Sequence, residues 1–242
     1  MKIALLGYGK MGKTIEKLAL EKGHEIVYKA TQDSKEGDLL NADVAIEFSV
    51  AEAAVSHISF CFENQIPVVS GTTGWTQHYN EVLNTCEKCN GSFIYASNFS
   101  VGVNLFFNLN GYLAHLMQPW KDYIPSIEET HHVQKKDAPS GTAISLADGI
   151  IRHSHFNEWE LDSKDSNKLN ITSFREGDVK GFHRVEYHST IDTLSIAHEA
   201  HSRDGFALGA ILAAEWLIGK KGVYTMKDVL NLKNPLVKGM EG

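Results

Sequence analysis

One glycine loop constrains this chain more than any other feature. Ile3-Ala4-Leu5-Leu6 runs straight into Gly7-Tyr8-Gly9-Lys10-Met11-Gly12. Met11, Ile15, Leu18 and Ala19 then recur at helical spacing, with Lys13, Glu16, Lys17 and Glu21 between them. A G-x-G-x-x-G between a buried strand and a helix serves a particular geometry. The first glycine permits a tight turn, the second lets the backbone approach a pyrophosphate, and the third lets the helix pack close to the sheet. Free amides at the helix start then bind phosphate. The same spacing also occurs in turns that bind nothing; the strand before it and the helix behind it give it weight here.

The rhythm continues. Gly23 is placed to end the first helix, and residues 25–28 read as a second strand. Val44-Ala45-Ile46-Glu47-Phe48 is a third, and Ser49 is placed to cap the helix behind it, whose apolar face is Ala54, Ile58, Cys61 and Phe62. Pro67-Val68-Val69-Ser70 begins a fourth strand and Phe93-Ile94-Tyr95-Ala96 a fifth. Strands alternating with helices imply an α/β fold, a Rossmann-type doubly wound parallel sheet. Beyond Asn98 the pattern shifts to longer strands, over residues 124–129 and 170–202, where His183, Val185 and Tyr187 alternate with Arg184, Glu186 and His188. That predicts a second, α+β domain with a mixed sheet. Residues 157–168 read as a polar surface loop, residues 206–218 as a last long helix, and residues 226–232 as a short amphipathic turn of helix.

Loops at the carboxyl ends of parallel strands line the ligand crevice of such a sheet. The candidate cofactor-binding residues are therefore Gly7, Tyr8, Gly9, Lys10, Met11 and Gly12, with Gly71, Thr72 and Thr73 after strand four and Ala96, Ser97, Asn98 and Phe99 after strand five. A strictly NAD-dependent chain carries an acid at the end of strand two, for the ribose hydroxyl. Here that stretch reads Tyr28-Lys29-Ala30-Thr31-Gln32-Asp33. Lys29 and Thr31 tolerate a 2′-phosphate, Lys10 is within reach of one, and Asp33 comes late. NADH or NADPH both remain open.

The second domain carries the densest chemistry, from Glu129 to Ala143. Two histidines and a lysine, His131, His132 and Lys135, lie within five residues, so proton donors can converge on one spot. Pro139-Ser140-Gly141-Thr142 then opens a helix with Ala143, Ile144, Leu146, Ala147 and Ile150 on its apolar face. The amides of Gly141 and Thr142, with the Thr142 hydroxyl, form a cradle for a carboxylate. Adjacent histidines on a strand point to opposite faces, and no H-E-x-x-H accompanies them, so no metal is expected.

Composition narrows the partners. The formal net charge of -7 argues against nucleic acid and anionic membranes, whereas a few local cations suffice for a small anion. No run approaches a membrane-spanning length and no leader pattern opens the chain, so a cytoplasmic home is expected. Cys86 and Cys89 form a lone C-x-x-C with no second ligand pair nearby, and read as two small residues on a helix.

The segment from Glu129 to Ala143 resembles the signature of the dihydrodipicolinate reductase family, E-x-H, three residues, K-x-D-x-P-S-G-T-A, and matches it at every position. The resemblance extends along the chain, through the glycine loop, Gly71-Thr72-Thr73-Gly74, Asn98 to Asn104, Arg175-Glu176-Gly177, Gly181-Phe182-His183 and His198 to Arg203. Phe182 stands where many members carry Glu. The resemblance implies reduction of 4-hydroxy-tetrahydrodipicolinate, a cyclic imine dicarboxylate, by NADH or NADPH on the diaminopimelate and lysine route. It implies His131 and Lys135 as the catalytic proton-handling residues, and His132, Gly141 and Thr142 as substrate-binding residues. It also implies a homotetramer, with residues 1–100 and 204–242 as the dinucleotide domain and residues 101–203 binding substrate and building the tetramer. Two other readings stay open: a dinucleotide-binding redox sensor without turnover, and another imine or aspartate-type dehydrogenase.

Overall fold

The computed structural model describes residues 1–232. Along the chain run β1 (Lys2–Leu6), α1 (Lys10–Glu21), β2 (Glu25–Ala30), β3 (Lys35–Gly37), β4 (Val44–Glu47), α2 (Ala51–Glu63), β5 (Val68–Ser70), α3 (Tyr79–Lys88) and β6 (Ser92–Tyr95). Then come α4 (Val101–Met117), β7 (Ile124–His131), α5 (Gly141–Ile151), β8 (Trp159–Leu161), β9 (Leu169–Arg175), β10 (Phe182–His188) and β11 (Thr193–Glu199). α6 (Asp204–Leu217), β12 (Gly222–Tyr224) and α7 (Met226–Val229) follow. The chain divides into two compact units, residues 1–101 with 204–232, and residues 102–203.

The first unit is built on a seven-stranded sheet in the order β12-β6-β5-β4-β1-β2-β3, parallel except for β3. β1 shows why it is wound on both faces. Its side chains alternate, so Ile3 and Leu5 pack with Ile15 and Ala19 of α1 and the alanine-rich face of α6. Ala4 and Leu6 pack on the other face with Ile58, Cys61 and Phe62 of α2 and Val82 and Cys86 of α3. Cys86 is thus a core residue, with its thiol raised by burial. Gly23, at φ +80, closes α1 as its position predicted.

The second unit carries a five-stranded mixed sheet, β11-β10-β7-β9-β8, antiparallel on one side of β7 and parallel on the other. α4 and α5 cover one face, where Phe106, Leu113, Leu146 and Ile150 meet Ile127, Ile171, Val185 and Tyr187. On the other face Arg184 pairs with Glu128 at 2.8 Å and Glu186 at 2.6 Å.

Three local expectations are corrected. Ser49 does not cap α2; Val50 stands at the N-cap, without a side-chain bond, because the Ser49 hydroxyl donates to buried Glu47. α4 fills seventeen residues where the sequence reading left a gap. Residues 157–168 are not wholly loop, since β8 pairs with β9 as a short edge strand.

Candidate functional site

In the first unit the candidate cofactor residues gather where β1, β4 and β5 end side by side. Gly7 adopts φ +101, and a Cβ there would lie 2.1 Å from the Phe48 carbonyl oxygen. A Cβ on Gly12 would lie 2.4 Å from the Gly7 carbonyl oxygen. A Cβ on Gly9 would meet nothing within 4 Å. The loop is therefore closed inward by two glycines and open outward at the third, and Gly9, Lys10 and Met11 lead into the first turn of α1. Amides in that turn have no carbonyl a turn earlier to bond. The donors and the open approach fit a pyrophosphate.

Beneath these turns lies Glu47, the last residue of β4, fully buried. Its Oε1 accepts the Ser49 amide at 2.9 Å, the Ser49 hydroxyl at 2.5 Å and the Thr72 hydroxyl at 2.8 Å. Its Oε2 accepts the Ser70 hydroxyl at 2.6 Å. Burial pushes this carboxyl up, but hydrogen bonds from His57, Ser49, Ser70 and Thr72 outweigh it and hold it below the usual carboxylate range. The acid ties the turns after β4 and β5 together. Thr72 consequently turns its hydroxyl inward, and Phe99 buries its ring 5.8 Å from that of Phe48. Thr73 and Ser97 are exposed, while Gly71, Ala96 and Asn98 are half-buried. The sequence reading missed Glu47 as a site residue; its signal was an acid ending an otherwise apolar strand.

At the end of β2, Thr31 accepts the amides of Asp33 and Ser34 through Oγ1, so it closes the turn into β3. Lys29 sits 2.9 Å from Glu16 of α1.

In the second unit His131 and His183 converge on another buried acid. Glu129 of β7 accepts the Ser140 amide at 3.1 Å on both oxygens, and the Ser173 hydroxyl at 2.7 Å. Arg175 lies 3.4 Å from it. His131 Nδ1 and His183 Nε2 approach its Oε2 at 3.6 and 3.5 Å, with the two imidazoles edge to face at 5.0 Å. Burial pushes Glu129 up; bonds from His183, Ser140 and Ser173 overcome it, so the carboxyl sits far below its usual range. Burial lowers His131 to about 4, with Glu129 pulling the other way and His183, Lys135 and Arg175 adding to the fall. His131 is neutral at pH 7.

His132, one residue beyond the end of β7, points elsewhere, with Nε2 3.5 Å from Arg203. Lys135 pairs with Asp137 at 2.6 Å. Arg175 donates to the backbone oxygens of Lys135 at 3.3 Å and Asp137 at 2.6 Å, fastening the loop that carries the lysine. Ser140 caps α5 by accepting the Ala143 amide at 3.1 Å, and its hydroxyl lies 3.1 Å from His183. Gly141 and Thr142 are the first two residues of that helix. Glu129, Arg175 and His183 were legible only as motif positions; their convergence comes from pairing β7 with both β9 and β10.

Glu129, His131 and His183 each present a ligand atom within 4.8 Å of the others. The carboxylate is already filled by Ser140 and Ser173, and the Arg175 guanidinium opposes a cation there. Among the described residues no helix is long and apolar enough to cross a membrane.

Comparison with known proteins agrees with this construction. A family model described as dihydrodipicolinate reductase, N-terminus, matches residues 1–99, and one described as its C-terminus matches residues 102–230. A 4-hydroxy-tetrahydrodipicolinate reductase of Christiangramia forsetii is 52% identical over 96% of this chain and 98% of its own length. One of Neisseria meningitidis serogroup B is 33% identical over 90% of this chain and 85% of its own. The fold matches a dipicolinate-bound dihydrodipicolinate reductase from Paenisporosarcina sp. TG-14 at a TM-score of 0.76, with 22% identity over 93% of this chain and 97% of that one. With both halves matched in order and a relative this similar along nearly its whole length, the chain belongs to the dihydrodipicolinate reductase family.

Proposed function

We propose that this chain reduces 4-hydroxy-tetrahydrodipicolinate to tetrahydrodipicolinate with NADH or NADPH, a step in diaminopimelate and lysine biosynthesis. Identity of 52% over 96% of the chain with a reductase of that name carries the reading. Family membership implies a dinucleotide cofactor, and the glycine loop of the first unit fits one. The dinucleotide supplies a hydride; the rest falls to the side chains.

Lys135 is the proton donor of this reading. Its ammonium is held against Asp137 on a loop that Arg175 fixes in place. His131, neutral at pH 7 and set beside Glu129 and His183, accepts and relays a proton rather than carrying one into the reaction. The amides of Gly141 and Thr142 hold one substrate carboxylate, and His132, beside Arg203, meets the same dianion. Acid catalysis of this kind is worth roughly 10²- to 10⁴-fold. Lys135→Ala is expected to fold and bind cofactor, and to lose turnover by about that factor.

The test couples a separate synthase, pyruvate and aspartate semialdehyde to this protein, and follows nicotinamide absorbance with NADH and NADPH in parallel. Synthase-dependent oxidation is expected. Cofactor binding without any oxidation, beside a working synthase, would move the assignment to a sensor or to a related dehydrogenase. A homotetramer assembled through the second unit completes the proposal.

A further inference from the structure

The strand that normally ends in the ribose-binding acid carries no acid at its end here; its last two residues are Lys29 and Ala30. In dinucleotide-binding sheets that acid lies about 20 residues beyond the glycine loop. Lys29, 17 residues beyond Gly12, stands on β2 beside Ala30, whose carbonyl accepts the Gly7 amide at 3.1 Å. Its ammonium is not idle. It lies 2.9 Å from Glu16 Oε1 and 5.1 Å from the centroid of the Tyr8 ring. The Tyr8 hydroxyl donates to the other oxygen of the same carboxylate. A residue of the glycine loop and one of β2 are thus locked around a single acid of α1. The carboxylate that β2 lacks is brought to the same corner by α1.

Burial pushes Glu16 up, but bonds from Tyr8 and Lys29 bring it below its usual value, and Glu16 in turn raises Lys29. Both groups are charged at neutral pH. Glu36, opposite Lys29 in the β2–β3 register, adds a second negative charge, and Lys13 approaches Tyr8 at 5.9 Å.

We propose that Glu16 and Lys29 form a charge pair that sets discrimination between dinucleotides with and without a 2′-phosphate. The inference rests on the dinucleotide reading above. With Glu16 in place, the ammonium is engaged and an incoming phosphate dianion meets a carboxylate, while a ribose hydroxyl can donate to it. With the carboxylate neutralised, Lys29 is released as a phosphate ligand. With the lysine neutralised, the corner keeps only its acids and rejects the phosphate.

The two dinucleotides differ only at the 2′ position, so the ratio of their affinities cancels any general damage to the fold. Dissociation constants for NADH and NADPH are measured by calorimetry without substrate. They are repeated with 5′-AMP and adenosine 2′,5′-bisphosphate, which carry no nicotinamide. Glu16→Gln is expected to shift the affinity ratio toward the 2′-phosphorylated member of each pair by about tenfold, the scale of one charge-assisted hydrogen bond. Lys29→Gln is expected to shift it the opposite way by a similar factor, and Lys29→Arg to stay near wild type. Ratios within about twofold of wild type in both Glu16→Gln and Lys29→Gln, with dinucleotide still bound, overturn the inference and leave the dinucleotide reading standing. Failure of wild type to bind either dinucleotide overturns both.

Discussion

Two buried carboxylates organise the two units, and each is kept ionised by donors that meet only in the fold. Glu129 and His131 give this a pH signature. In the unfolded chain a histidine titrates near roughly 6.5, whereas folded His131 sits at about 4. Between those values the unfolded chain holds a proton that the folded chain does not, so stability is full above the upper value and is lost as pH falls toward the lower one. Glu129, depressed as well, contributes above its unfolded value of roughly 4.3 and loses that contribution only at more acid pH. Thermal midpoints are thus expected to fall between about pH 6.5 and 4.5, and His131→Gln to flatten that slope. An equally steep slope in the variant would assign the acid sensitivity elsewhere. The catalytic candidates were legible because they sit in one contiguous segment. Their partners were not. Ser173, Arg175 and His183 reach Glu129 from as far as 54 positions away in the chain (183 minus 129), and nothing local in sequence announces such a meeting.

Among the elements, those with a clear apolar rhythm were read from sequence and those without it were not. β1, α1, α2 and α5 show alternating or helical patterns and lie where those patterns put them. α4 carries no Asp, Glu, Lys or Arg in seventeen residues, so it has no polar face to betray its period. β3 and β8 are three-residue edge strands, with partners that no sequence rule names. α6 shows what close packing demands. A Cβ on Gly209 would lie 1.8 Å from the Phe99 carbonyl oxygen, at the turn beyond β6. Alanine gains about 1 kcal/mol of helix propensity over glycine, but the clash is with backbone, and overpacking costs about 1–3 kcal/mol or more. Gly209→Ala is expected to lower stability, read as a fall of several degrees in the thermal midpoint. An increase would show that α6 can slide away from Phe99.

At the scale of the whole molecule, the proposed tetramer has a physical handle in the second unit. At one end of its sheet Trp120, Ile124, Ile191 and Leu194 line a cavity of about 910 Å³, and Ile191, in the turn between β10 and β11, is 88% exposed. Scattered surface apolar residues are ordinary; four large ones around one hollow are a candidate contact between copies of this chain. A side chain so exposed contributes little to one chain's own stability, and surface substitutions of that kind usually stay within about 0.5 kcal/mol. Ile191→Asp therefore separates assembly from folding. Light scattering on the wild type is expected to report about 107 kDa, four times the 26.8 kDa chain. The variant is expected to lose mass while keeping its secondary structure, and its thermal midpoint to fall because subunit association no longer supports the fold. A wild type that runs at the single-chain mass would remove the tetramer from the proposal. A variant that keeps the wild-type mass would leave the tetramer and move its contacts elsewhere, with the polar face of the sheet around Arg184, Glu128 and Glu186 the next surface to substitute.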